Sequence, residues 1–175
     1  MIRIRELRAA DSVEAITDLL HAAYAPLAAM NFRYTASYQD SSITSRRLRN
    51  GFPFVAAEGS ELIGTITLYG SSADSPCAWY QQEGVFHFGQ FAVLPSPQGR
   101  GIGRLLLEKV EEAARERNAR ELALDTAEGA VHLLNWYERC GFRFVQYVSW
   151  TDTNYRSVVL SKRLLAASPS LRPQP

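Results

Sequence analysis

The chain has 175 residues, of which 46% are hydrophobic and 21% charged, and a formal net charge of +1. That length and balance suit one domain with a substantial buried core. The near-zero charge argues against a nucleic-acid partner, which selects a strongly basic face, and no run approaches the roughly 18 apolar residues of a membrane span.

The opening IRIREL, residues 2–7, alternates with period two and predicts a strand. Its alternation of apolar and charged residues is unlike a signal peptide. Together with only two cysteines, Cys77 and Cys140, it predicts a reducing, cytoplasmic setting without a disulfide framework or a metal motif. Asp11-Ser12 supplies a helix start, and Val13, Ile16, Leu19, Leu20 and Ala23 follow at helical spacing to about Tyr24, where Pro26 is expected to end the helix. A second short helix is expected over about 38–50, closed by Asn50-Gly51. Its Arg46, Arg47 and Arg49 read as a solvated face. Phe54–Ala57 and Leu62–Tyr69 flank Glu58-Gly59-Ser60-Glu61, a hairpin pattern. A loop over 70–83 leads into a strand over 85–93.

The segment QGRGIGRLLLEKVEEAARER, residues 98–117, is the most informative in the chain. Ile102, Leu106, Val110 and Ala113 form a core-facing stripe, with Glu108, Glu111, Glu112, Arg115 and Glu116 at other positions. The helix nevertheless begins with Gly99, Gly101 and Gly103, residues that weaken a helix. A helix N-terminus offers free N–H groups and the positive end of the dipole, and glycine lets a bulky anion approach them. Alone, the segment says phosphate. Gly103 is followed by Arg104-Leu105, so the Gly-Lys-Ser/Thr of a P-loop is absent, and the glycine spacing is not Gly-x-Gly-x-x-Gly.

A strand over 121–126, a helix over 129–140 stopped by Gly141, and closing strands over 143–151 and 155–163 complete the pattern. Residues 166–175 carry three prolines and are expected to form a disordered tail after a single domain, residues 1–165. The predicted order is β, α, α, β, β, β, α, β, α, β, β, a mixed α/β domain. The strand over 85–93 and that over 121–126 are expected to run parallel across the helix between them.

Gln98-x-x-Gly101-x-Gly103 resembles the Gln/Arg-x-x-Gly-x-Gly/Ala signature of the GNAT N-acetyltransferase superfamily. FAVLPSPQGRGIGRLLLEKVEEAA resembles that family's strand, pyrophosphate loop and helix, and NWYERCGFRFV, residues 135–145, resembles its later Tyr-x-x-x-Gly-Phe segment. The resemblance runs over about residues 2–164. It implies a mostly antiparallel twisted sheet of about seven strands with about four helices on both faces. It also implies acetyl-CoA as acyl-donor cosubstrate, without a metal, and transfer of acetyl to a primary amine of a small molecule or peptide by direct attack.

By resemblance, the backbone at Gly99, Arg100, Gly101, Ile102, Gly103 and Arg104, with Gln98, holds the pyrophosphate. Arg100 or Arg104 adds charge. Phe91, Ala92 and Val93 pair with the pantetheine arm, in a strand that usually bulges and splays from the strand over 121–126. An N–H near Val93 would meet the developing oxyanion. Tyr137 matches the family's general acid; its other use is anchoring the helix to the sheet. His87 stands where some members carry a glutamate base, and a histidine of pKa near ~6.5 can serve at neutral pH. The family's pantetheine-binding asparagine is Ala130 here, with His132 and Asn135 nearby as substitutes. The acceptor pocket is expected from Tyr24, Phe32, Tyr34 and Trp150, with Asp40 or Glu83 holding the amine. Two other readings stay open: a non-catalytic acyl-CoA-binding or sensing module, and a generic phosphate-binding module. Open edges in the closing strands would allow a homodimer.

Overall fold

The computed structural model describes residues 1–95 and 99–164, so Gln98 and the expected tail over 166–175 lie outside the described residues. Strand β1 (Ile2–Glu6) leads to helix α1 (Val13–Ala29), whose Ser12 side chain caps it by accepting from the Ala15 N–H at 3.1 Å. Helix α1 does not stop at Pro26. The proline forfeits only its own N–H, and the helix runs on for a final turn. That turn buries Leu27 against Tyr34, Ala127 and Ala130, and the Met30 N–H closes onto the carbonyls of Pro26 and Leu27.

A 3-10 turn, Thr35–Ser37, precedes α2 (Ser41–Arg49). Asp40 caps α2 by accepting from the Ile43 N–H at 2.9 Å, so this exposed carboxylate serves the helix rather than an amine. The helix ends at Asn50 as expected, but Gly51 is not a left-handed cap. A Cβ there would sit 2.5 Å from the Leu68 carbonyl oxygen and 2.7 Å from the Thr67 side chain, so glycine is needed for close approach.

Strands β2 (Phe52–Glu58) and β3 (Glu61–Tyr69) form the expected hairpin, turning at Gly59 with φ +62°. After a second 3-10 turn, Ala78–Gln81, come β4 (Val85–Val93), α3 (Ile102–Glu116), β5 (Glu121–Ala127), α4 (Val131–Arg139), β6 (Arg143–Ser149) and β7 (Arg156–Arg163). The seven strands form one sheet in the order β1-β2-β3-β4-β5-β7-β6, antiparallel except between β4 and β5. Of the two closing strands only β6 is an edge, because β7 inserts between β5 and β6.

The stripe on α3 is buried as predicted and widened by Leu107 and Ala114, packing with Tyr137 and Cys140 of the α4 side on one face of the sheet. Helices α1 and α2 supply Ile16, Leu19, Leu20 and Leu48 to the second face. Glu111 on α3 is also buried, and is satisfied by Lys162 Nζ at 2.6 Å and Arg115 at 3.1 Å. Replacing Gly51 with alanine is expected to cost about 1–3 kcal/mol by overpacking against strand backbone. At Gly103 the nearest neighbour of an added Cβ is 3.6 Å away, so Gly103→Ala should keep or slightly raise stability. Urea unfolding of the two variants checks the contrast.

Candidate active site

The site is a defect in the sheet. Strand β4 pairs with β5 only through Val85↔Glu121, Phe86↔Leu122 and His87↔Ala123. Beyond His87 the two parallel strands part. On its other side β4 carries a bulge: Thr65 pairs with Ala92 and Thr67 with Gly89, so two steps on β3 face three on β4. Gln90 lies in the bulge at φ +49°, an unusual conformation for a residue other than glycine, and it is buried. The extra residue switches parity. Phe86 and Phe88 pack on the α3 face, and after the bulge so do Phe91 and Val93, while Ala92 joins the α1 face.

Gln90 is held by a buried amide. Gln39, 0% exposed, donates from Nε2 to Gln90 Oε1 at 2.8 Å and to Thr44 Oγ1 at 2.7 Å. Tyr24 on α1 adds a bond from its hydroxyl to the Phe91 carbonyl at 3.1 Å.

A cleft of about 1410 Å³ opens where the strands part. One end is lined by Phe91, Ala92, Val93, Gly99, Gly101, Ile102, Gly103 and Arg104. Gly99 and Gly101 have φ +86° and +75°, and among the described residues nothing lies within 4 Å of where either Cβ would stand. Glycine is thus required there by conformation, and it leaves the N-terminus of α3 open to an anion. Arg100 is near this loop, but its guanidinium forms a bidentate pair with Glu58 at 2.8 and 2.9 Å, so its charge is engaged across the hairpin. Arg104 lines the cleft.

Tyr137 lines the cleft from α4, and burial pushes its phenol well above the ordinary range, so it remains protonated at neutral pH. Asn135, on the same helix, is exposed and outside the cleft, whereas His132 lines it. Ala130, at the family's asparagine position, is fully buried.

The opposite end of the cleft holds the expected acceptor residues only in part. Tyr24, Tyr34 and Trp150 line it. Phe32 packs instead on Tyr155 and presses against Gly129, and Glu83 is exposed and does not line the cleft. Tyr34 bonds to Thr126 Oγ1 at 2.8 Å and accepts from the Ala127 N–H at 3.0 Å, so its hydroxyl ties the segment between α1 and α2 to the parted end of β5.

His87 lines the cleft between two rings, stacked on Tyr80 at 4.1 Å and on Tyr69 at 5.3 Å. Among the described residues its Nδ1 has no partner. Burial lowers its pKa to about 4, so it is neutral but far less basic than the ordinary histidine that the sequence suggested.

The carboxylate of the site is Asp125, which the sequence reading passed over. It lines the cleft from β5 beyond the parting point and accepts from Trp150 Nε1 at 2.8 Å and Tyr80 Oη at 3.0 Å. Burial raises its pKa, partly offset by those bonds. A signal was present: in Leu122-Ala123-Leu124-Asp125, the leucines belong to the α3 core and Asp125 falls on the other parity.

Residues 13–142 match the family described as the acetyltransferase (GNAT) family. The chain belongs to that family. It is 30% identical over 131 residues to S-(2-succino)cysteine N-acetyltransferase of Bacillus subtilis (strain 168), covering 74% of this chain and 77% of that protein. It is 35% identical over 77 residues to streptothricin acetyltransferase of Streptomyces lavendulae, covering 44% and 39% of the two chains. Among solved structures, a GNAT family acetyltransferase from Elizabethkingia anophelis with acetyl-CoA bound shares the fold, with a TM-score of 0.66 at 19% identity over 93% of this chain and 98% of that one. Like other GNAT proteins, this one is an acetyltransferase.

The partly buried histidine of this GNAT protein predicts a pH dependence. Below the unfolded pKa of ~6.5 the unfolded chain takes up a proton that native His87 refuses until about pH 4. Stability contributed by His87 is therefore complete above about pH 6.5 and is lost as pH falls toward 4, by about 3 kcal/mol in total. Asp125 works in the other direction, since a raised carboxylate pKa favours the native state as pH falls. Urea midpoints of wild type and His87→Gln between pH 7 and 4.5 should converge as pH drops.

Proposed function

We propose that the protein transfers the acetyl group of acetyl-CoA to a primary amine of a small molecule or peptide, the amine attacking directly. The observation that carries this reading is the parting of β4 from β5 beside the open Gly99–Gly103 loop, with a buried phenol and a half-buried carboxylate lining the same cleft. The N-acetyltransferase name of the Bacillus relative supports nitrogen as the acceptor atom.

Acetyl-CoA supplies an activated thioester. The residues present fit it: Gly99 and Gly101 leave the loop backbone before α3 open to an anion without a Cβ in the way, and the parted backbone at Phe91–Val93 suits the amides of a pantetheine arm. Arg104 adds charge at the phosphate end. Val93 contributes a backbone donor toward the developing oxyanion. Tyr137 enters with its proton on and gives a hydrogen bond, then the proton, to the departing sulfur. Asp125 draws in the ammonium and, directly or through water, receives the proton the nitrogen must shed. His87, with its lowered basicity, is the aromatic wall between Tyr69 and Tyr80 rather than the base.

Calorimetry should detect acetyl-CoA binding that is lost on substituting Gly101 with a β-branched residue; absence of binding by wild type would refute the reading. With an active amine, Tyr137→Phe and Asp125→Asn should each lower kcat by about 10²-fold with acetyl-CoA affinity retained. His87→Gln should lower kcat by less than about tenfold. The reverse ranking of Asp125 and His87 would return the base to the histidine.

A further inference from the structure

Arg47 is a cation inside the cleft, not part of a solvated face. It stands in the last turn of α2 beside Arg46, which is exposed at the cleft's rim, and before exposed Arg49, but it is half-buried and lines the cleft. Its Nη1 donates to Oε1 of the fully buried Gln39 at 2.7 Å. Its Nη2 lies 3.6 Å from where a Cβ on Gly89 would be. Among the described residues no carboxylate lies within salt-bridge distance of it, whereas Arg5, Arg100, Arg115, Arg143 and Arg156 each have one. Holding a long cationic side chain against a buried amide costs rotamer entropy, and among the described residues no acid bonds to it directly in return.

A second observation points the same way. Asp125 is a half-buried carboxylate of the same cleft, and the groups bonded to it, Tyr80 and Trp150, are neutral. Other charged groups line the cleft, Arg46, Arg104, Arg139, Asp74 and Asp152 among them, but Arg47 and Asp125 act on each other across it, and among the described residues neither has a direct ion-pair partner. Close to Arg47 are Nε2 of Gln90, whose Oε1 shares the Gln39 amide with it, and the hydroxyl of Tyr69, buried groups that among the described residues close no hydrogen bond of good geometry, although the phenol faces Thr67, Gln90 and Arg47. Unpartnered buried donors beside a guanidinium are the complement of an oxyanion.

This cation is not placed for the donor's phosphates. Gly89 precedes Val93 by four residues, roughly 13 Å of extended strand, and the Gly99–Gly103 loop lies beyond Val93. One guanidinium with neutral donors also matches one negative charge, a carboxylate, better than a phosphate dianion.

We propose that the acceptor is an amine that itself carries a carboxylate, an amino acid in chemical class, with the carboxylate on Arg47 and the ammonium toward Asp125. This rests on the N-acetyl-transfer reading above and adds the substrate class. Arg47 is then the residue that sets acceptor specificity.

The test uses the full chain, acetyl-CoA and matched acceptors: free amino acids, their carboxamides, and the amines lacking the carboxyl group, with coenzyme A thiol release as the readout. At least one free amino acid should exceed both its carboxamide and its decarboxylated amine by roughly 30-fold or more in kcat/KM. Arg47→Gln should erase most of that ratio through KM, and Arg47→Lys should keep part of it. Equal turnover with and without the carboxylate, an unchanged ratio in Arg47→Gln, or no turnover of any carboxylate-bearing amine would overturn the inference. Should Arg47→Gln fail to fold by thermal melt, the wild-type ratio and Arg47→Lys decide. Calorimetric binding of acetyl-CoA separates the two claims. Its loss removes the transferase reading, whereas binding with turnover of uncharged amines alone removes only the substrate class.

Discussion

The Gln39–Gln90 hydrogen bond is the contact on which the rest of the site depends. A left-handed, non-glycine residue in a strand costs on the order of 1–2 kcal/mol and persists only where its surroundings over-determine it. Here a fully buried amide does so, anchored in turn to Thr44, which accepts a bond from Thr17 of α1 at 2.8 Å. With Gln90 fixed, β4 gains one residue against β3 and changes parity in mid-strand. Phe91 and Val93 then return to the α3 core, and the strand bends away from β5. The side-chain oxygen of the same Gln39 accepts from Arg47 and orients it. One side chain thus sets the backbone at the donor end and the cation at the acceptor end.

The cleft is built to hold charge apart from water. Asp125 is surrounded by a phenol and an indole N–H, and His87 is sandwiched between rings that keep it neutral. Interactions with a charged ligand are stronger in such surroundings than at the surface. The exposed ion pairs, such as Arg156 with Glu128 and Arg100 with Glu58, lie outside this setting and contribute little each.

Much of this was legible from residue order. The boundaries of β4, the stripe on α3, the hairpin turn at Gly59 and the left-handed glycines before α3 all follow from local rules: period, cap and conformational freedom. Tyr137 and the glycine loop came from motif spacing. What local rules miss is decided by distant packing. Pro26 remains helical because Leu27 finds a pocket formed by residues about 100 positions later. Gly51 looks like a cap but is small because Leu68 passes over it. Asp125 and Arg47 read as a strand-end acid and a surface base. Only the parted sheet and a glutamine eight residues before Arg47 bring them into one cleft. The bulge has no signature of its own, since Gln90 is an unremarkable polar residue until Gln39 is seen across from it.

Strand order carries a consequence for how the protein is made. Strands β1 to β4 are laid down in spatial order, each beside the one before it, so that half of the sheet can assemble as the chain emerges. β5 is different. One flank meets β4 over only three residue pairs, and the other waits for β7, the last strand, which pairs along it from Ser157 to Arg163. Asp125 is opposite Val159 in that register. During synthesis the glycine loop and the bulged strand are thus complete well before the strand that carries the carboxylate has its second neighbour, and a chain cut short before residue 156 would carry one wall of the cleft without a fixed opposite wall.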